Sequence, residues 1–195
     1  MSAITTIASA AQYASWAETV GLEKTPTGLA AALAYATSEL QDYCGREFLP
    51  SPATSGQTEA RAYVGDGGRT LYIADALTIA GVTSGGTEVP TSHYTALDTP
   101  FTRLVLRRPY CWTEGAEIVV TGRFGYAEQA SLPAALVEAC CMLTAGRLLS
   151  GDSWTDGKVK RTSVINVTLE YAEGFSALER RREALALAAS YRRWV

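Results

Sequence analysis

LAAALAYATSELQDYCGREF, residues 29–48, reads as a helix with a stop, and the chain beyond it changes period. Leu29, Leu33, Ala36, Leu40 and Tyr43 or Cys44 recur at steps of three and four, which puts them on one stripe of an α-helix. Thr25 is the expected cap and Pro26 the first helical residue, where a missing N–H costs nothing. Gly45 supplies the left-handed stop. Pro50 to Thr58, made largely of Ser, Pro, Thr and Gly, reads as a linker or a mobile loop. After it, apolar residues alternate. Ala62 to Val64 and Thr70 to Ile73 flank Gly65-Asp66-Gly67-Gly68-Arg69, a hairpin signal. Leu77 to Thr83 and Thr87 to Val89 flank Ser84-Gly85-Gly86, a second one. Tyr94 to Leu97, Phe101 to Leu106 and Glu117 to Arg123 are the further strands of an antiparallel unit.

Helices surround this unit. Tyr13, Trp16 and Val20 define a first helix from about Ser9 to Val20, ended by Gly21. Ser131 and Pro133 open a third, through Leu149. Leu136, Cys140, Leu143 and Arg147 form one stripe of it, and Val137, Cys141, Thr144 and Leu148 the next. A helix with two such stripes is buried on most of its circumference and belongs at the centre of a core. Val159, Ile165, Val167, Leu169 and Tyr171 then alternate with polar residues, the pattern of a half-buried strand or extended arm. Ser176-Ala-Leu-Glu179 is a capping box that starts a last helix running nearly to Val195. The expected fold is α+β: mainly a bundle of about four helices with a small antiparallel β unit inserted at residues 59–126, and a late extended arm. A single domain covers residues 1–195, with residues 172–195 as a C-terminal helix and docking arm.

Charged residues are 19% of the 195, low for a solitary domain, which suits a surface partly turned towards other subunits. The net charge of −3 lacks the basic excess from which sequence-independent nucleic-acid binding draws its affinity. Cys44, Cys111, Cys140 and Cys141 contain no C-x-x-C pair and read as free buried thiols in a reducing cytoplasm. Met1 to Ala11 lacks the charged start and apolar run of a secretion signal, and no apolar run approaches the roughly 20 residues of a membrane span.

Catalytic constellations are missing from the pattern. His93 is the only histidine; Ser92 beside it would point to the opposite face of a strand. Zinc needs three or four well-spaced Cys or His ligands, and this sequence does not space them so. Gly65 to Arg69 lies between strands and carries no lysine, unlike a phosphate-binding loop. Asp66, Asp75, Asp98, Asp152 and Asp156 sit in or near loops, as turn formers do. The sequence predicts no enzyme, no metal and no cofactor. It predicts a docking surface on the last helix instead, where Arg180, Arg181 and Arg182 lie in the first turns and Tyr191, Arg192, Arg193 and Trp194 at the end. Arginine and aromatic residues dominate interface hot spots.

Four stretches, in their order and spacing, resemble the head-to-tail connector (adaptor) proteins of tailed bacteriophages. They are Leu29 to Phe48, with its Cys-Gly-Arg-Glu-Phe ending; Arg103 to Leu106 followed by Glu117 to Tyr126; Leu132 to Cys140; and Val159 to Tyr171. The resemblance implies a structural virion protein of the phage neck, assembled in the bacterial host cytoplasm. It implies a ring, usually of twelve copies, that docks on the portal protein, meets a downstream neck, stopper or tail protein, and lengthens the channel through which DNA passes without specific binding. No membrane is involved. On this reading Arg180, Arg181, Arg182, Tyr191, Arg192, Arg193 and Trp194 are inferred to meet the portal, and Val159, Ile165, Val167, Leu169 and Tyr171 a neighbouring subunit. The alternatives are a stopper or tail-completion protein, or a DNA-binding protein.

Overall fold

A computed structural model of the chain describes residues 6–51, 56–150 and 177–193. The chain divides into two compact units: Met1–Gly45 with Leu132–Val195, and Arg46–Ser131. The first is helical, the second is built on a sheet, and the fold class is α+β.

In the helical unit, α1 spans Ala10–Thr19, α2 Leu29–Cys44, α3 Ala134–Ser150 and α4 Ala177–Ala188. Ser9 starts α1 with a complete capping box: its hydroxyl accepts from the Gln12 N–H and the Gln12 side chain accepts from the Ser9 N–H. α2 begins three residues later than its sequence suggests. Gly28 sits in the left-handed region at φ 82°, and Pro26 belongs to a turn whose carbonyl accepts from the Leu29 N–H. A left-handed residue cannot continue a right-handed helix, so Thr25 caps nothing. Gly45 ends α2 as expected, at φ 61°.

Of the two stripes read in α3, Leu136, Cys140, Cys141, Leu143 and Thr144 are buried and Val137, Arg147 and Leu148 half-buried; every residue from Ala139 to Gly146 lies inside. α3 packs against α1, α2 and α4. At its centre Thr144 donates to the Cys140 carbonyl, and Thr37 of α2 reaches towards the Cys140 thiol. The Thr37 hydroxyl also accepts from the Ile7 N–H at 3.0 Å, which fastens the chain before α1 to the core. Burial pushes the Cys140 thiol up, and that of Cys141 to about 12. Cys111 departs from the expectation of buried thiols, since it is exposed.

α4 buries a face other than the leucines its sequence offers. Arg180, Ala184 and Ala188 are inside, whereas Leu178 is 48% exposed. Small residues at i and i+4 let the helix backbone come close to α3. The helix also stops early. Ala189–Tyr191 tightens into a 3-10 turn, and the Arg193 N–H then donates to the Cys44 carbonyl at the end of α2. Arg192 and Arg193 therefore lie beyond the helix rather than on its last turn.

The sheet holds β1 (Glu59–Val64), β2 (Thr70–Ser84), β3 (Thr87–Glu88), β4 (Tyr94–Leu97), β5 (Phe101–Leu106) and β6 (Glu117–Phe124). Its order is β1-β6-β2-β5-β4, antiparallel throughout, with β3 folded back on β2. The Gly85-Gly86 turn is the hairpin its sequence predicts, with both residues at positive φ. The Gly65 to Arg69 turn is not a hairpin, because β6 lies between β1 and β2. Gly65 instead donates to the Ala116 carbonyl, and its own carbonyl accepts from Gly115. A Cβ at Gly65 would fall on the Thr113 carbonyl, so this glycine serves a close approach of two loops.

Thr70 to Ile73 and Leu77 to Thr83, which read as separate strands, belong to one bent strand. β2 pairs β5 through its first half and β6 through its second, and Ala76 has partners on both sides. Register shifts at the bend break the alternation, as bulges do. Asp75 is buried at this corner, with Arg46 Nη1 3.6 Å from its Oδ2. The core beside it contains Ile73, Leu104, Trp112, Ile118, Val120 and Phe124, all fully buried.

Candidate docking surfaces

The residues weighed for chemistry do not converge. His93 ends a short 3-10 turn, half-buried, its ring stacked on Tyr110 with centroids 4.2 Å apart. Asp66 accepts from the Gly68 N–H, Asp98 from Thr102 and Arg103, and Asp75 faces Arg46. Those paired hydrogen bonds from Arg103 and Thr102 hold the Asp98 carboxyl down at about 2. Asp152 and Asp156 lie outside the described residues. Among the described residues, no group of three His, Cys, Asp or Glu is placed to hold a metal ion. No described helix is long and apolar enough to cross a membrane.

The arginines of the C-terminal segment divide by what they touch. Arg180 is buried, 8% exposed. Arg181 donates from Nε to Glu39 of α2 at 2.5 Å. Arg182 is exposed. Arg192 stands over the Tyr43 ring at 5.1 Å. Tyr191 and Arg193 are half-buried. Trp194 lies outside the described residues, as do Val159, Ile165, Val167, Leu169 and Tyr171. The expected cluster is thus mainly a fastening of α4 to α2, with Arg182 left facing outward.

That fastening has a regular geometry. Tyr35, Glu39 and Tyr43 succeed one another at i, i+4 and i+8 along α2, and each takes one arginine from elsewhere in the unit. Arg147 of α3 covers the Tyr35 ring at 3.9 Å, Arg181 pairs with Glu39, and Arg192 covers Tyr43. Each cation–ring contact of this kind is worth about 0.5–1 kcal/mol where solvent reaches it. The i, i+4 spacing was present in the sequence; the partner arginines, more than 100 residues away, were not predictable from it. Between α2 and α4 runs a groove of about 380 Å³ lined by Glu39, Asp42, Tyr43, Arg181 and Leu185, among others.

The sheet unit presents a second surface, on the loop after β5. Arg107 and Arg108 are exposed on it, next to Tyr110 at 44% exposure. The loop closes over Trp112, which is 1% exposed.

No protein family and no curated protein matches the sequence. The fold has matches among solved structures. One is a chain in the neck of an empty gene transfer agent particle computed with C6 symmetry, at 14% identity and TM-score 0.58, covering 98% of this chain and 94% of that one. A chain in the neck of the native particle computed with C12 symmetry matches at 13% identity and TM-score 0.52, covering 98% and 95%. A chain in the virion of the native particle matches at 18% identity and TM-score 0.54, covering 95% and 89%. At these identities the likeness is one of fold, and it extends over nearly the whole length of both partners.

Proposed function

We propose that this chain is a structural subunit of the neck of a tailed-phage-like particle. It forms a ring that joins the portal to the next neck or tail protein and lengthens the DNA channel, and it catalyses no reaction. The observation that carries this reading is the end-to-end fold likeness to chains from gene transfer agent necks. The sequence resemblance to phage adaptors points the same way independently, because it rests on motif order rather than on coordinates. The C12 symmetry with which one of those necks was computed suits a ring of twelve copies here. A net charge of −3 suits a channel wall that lets DNA pass.

Within this reading, the outward-facing Arg182 is the arginine of the C-terminal segment best placed to meet the portal. The segment Val159 to Tyr171 is proposed as a contact between neighbours on its sequence pattern alone. Mixing the purified chain with the portal protein of the same particle and measuring the mass of the complex tests the assignment. A portal carrying a full ring of the chain is expected. A portal that stays bare at saturating chain concentration refutes it. Because a subunit of this kind can wait for its portal before closing a ring, the comparison with portal present is the decisive one.

A further inference from the structure

β1 forms one edge of the sheet, and its outer side is open. Among the described residues it pairs with β6 alone. The phase of that ladder fixes which backbone groups are left over. Gly65 donates to the Ala116 carbonyl, and Phe124 exchanges two hydrogen bonds with Ser51. In an antiparallel pair only alternate residues bond the partner, so Glu59, Arg61 and Tyr63 bond β6. Ala60, Ala62 and Val64 therefore direct their N–H and C=O groups away from the sheet. All three are exposed, Val64 at 71%.

The usual protections of an edge are missing here. β1 carries no proline, and its register with β6 runs from Glu59 to Val64 without a bulge. Its charges are engaged on the opposite face: Arg61 donates to Glu59 and Glu47 at 2.7 and 2.6 Å and lies over the Phe124 ring. The face that holds Ala60 and Ala62 continues through Thr121 and Val119 of β6 to Gly81 and Thr83 of β2, none of them charged. β4, the other edge, is shorter. The Arg107 N–H bonds the His93 carbonyl, which by the same phase leaves only Tyr94 and Ala96 facing outward.

The chain carries a segment that suits the β1 edge. Residues 151–176 lie outside the described structure, between Ser150 at the end of α3 and Ala177 at the start of α4. Within them Val164-Ile-Asn-Val-Thr-Leu-Glu-Tyr171 is rich in β-branched and aromatic residues. Its two stripes match the two faces of β1. Ile165, Val167 and Leu169 would extend the uncharged face of Ala60, Ala62 and Val64, and Asn166, Thr168 and Glu170 the polar row of Glu59, Arg61 and Tyr63. Val167 is ten residues from Ala177, a length that spans up to about 33 Å when extended, so the segment can leave its own helices and lie on an adjacent copy.

We infer that residues 164–171 of one copy add as a strand to the open edge of β1 in the next copy. This rests on the ring reading above and names the surface that the segment meets. Strand and edge are different patches of one chain, so the contact is head-to-tail and generates a ring when its rotation closes. Backbone hydrogen bonds at Ala60, Ala62 and Val64 supply the affinity, and the alternating side chains set the face.

Ala62→Pro tests the edge, because the N–H it removes takes no part in the β1–β6 ladder and an edge strand tolerates proline at such a position. The purified variant is expected to melt close to the natural chain, whereas Tyr63→Pro, which removes an N–H bonded to β6, melts lower. In cells that produce the particles, Ala62→Pro is expected to cut the yield of tail-joined particles about tenfold or more, the factor that corresponds to about 1.4 kcal/mol at an interface. An unchanged yield overturns the proposal. If Ala62→Pro itself melts early, a cross-link decides. Ala62→Cys with Val167→Cys, in a Cys111→Ser background, is treated in purified particles with a short bismaleimide. A ladder of joined copies supports the contact. Monomers alone, from particles whose neck contains the chain, overturn it and leave the ring reading standing. A neck that lacks the natural chain overturns the ring reading itself.

Discussion

Substituting Ala184 with leucine tests how α4 is held. Ala184 and Ala188 are both fully buried, and with Arg180 they form the face by which α4 packs in the helical unit. Leucine adds three heavy atoms at a position with no open space. Overpacking of this kind costs about 1–3 kcal/mol. A cost near the middle, about 2 kcal/mol, lowers the melting temperature by about 4–8 °C for a chain of this size. It also raises the population with α4 detached about thirtyfold, at 1.4 kcal/mol per factor of ten. Detachment exposes the bonds after Arg180, Arg181 and Arg182, so trypsin reports it directly. Ala184→Leu is expected to be cut there much faster than the natural chain, and Leu178→Ala, at an exposed position, no faster. Equal cleavage rates and equal melting temperatures for Ala184→Leu and the natural chain would refute the packing argument. The same geometry has a practical consequence. Removing residues 180–195 would strip a buried face from the helical core, so point substitutions, not truncation, must be used to probe docking by this segment.

Three further outcomes are expected. Gly122→Ala places a Cβ on the Thr78 carbonyl oxygen, with its carbon at 3.2 Å and Ile79 Cα at 3.3 Å, so backbone must move; a loss of about 1–3 kcal/mol should appear as a lower urea midpoint. The depressed Asp98 carboxyl contributes stability that is present above its ordinary value and lost as pH falls through about 2, so its side-chain NMR signal should titrate near pH 2, and Arg103→Ala should return it towards the ordinary carboxylate range. In the folded chain a thiol reagent should label Cys111 rapidly and Cys44, Cys140 and Cys141 only on unfolding, which mass spectrometry after brief exposure will show.

The sequence announced α1, α2 and α3 because their apolar residues keep one period, and Ser9 and Gly45 marked a start and a stop correctly, whereas Thr25 and Pro26 misplaced the start of α2. It announced the Gly85-Gly86 hairpin for the same reason. The Gly65 to Arg69 turn misled because local turn chemistry cannot say which strand will slide between its arms; β6, about fifty residues later, does so. The bend at Ala76 was hidden because a bulge breaks alternation just as a strand end does. In α4 the arginines drew attention from Ala184 and Ala188, whose value is closeness of approach rather than area. The arginine-rich end was visible as composition, but its partners Glu39 and Tyr43 come from α2, and only the fold brings them together.

The account stands on where the chain sits in its particle. A reconstruction of that particle by electron cryomicroscopy, resolved well enough to trace side chains, measures this directly. The account predicts a closed ring of copies at the neck, each with its sheet unit and helical unit in density. Tracing the same residues in the capsid shell or the tail tube, or finding none of them in the intact particle, would contradict it.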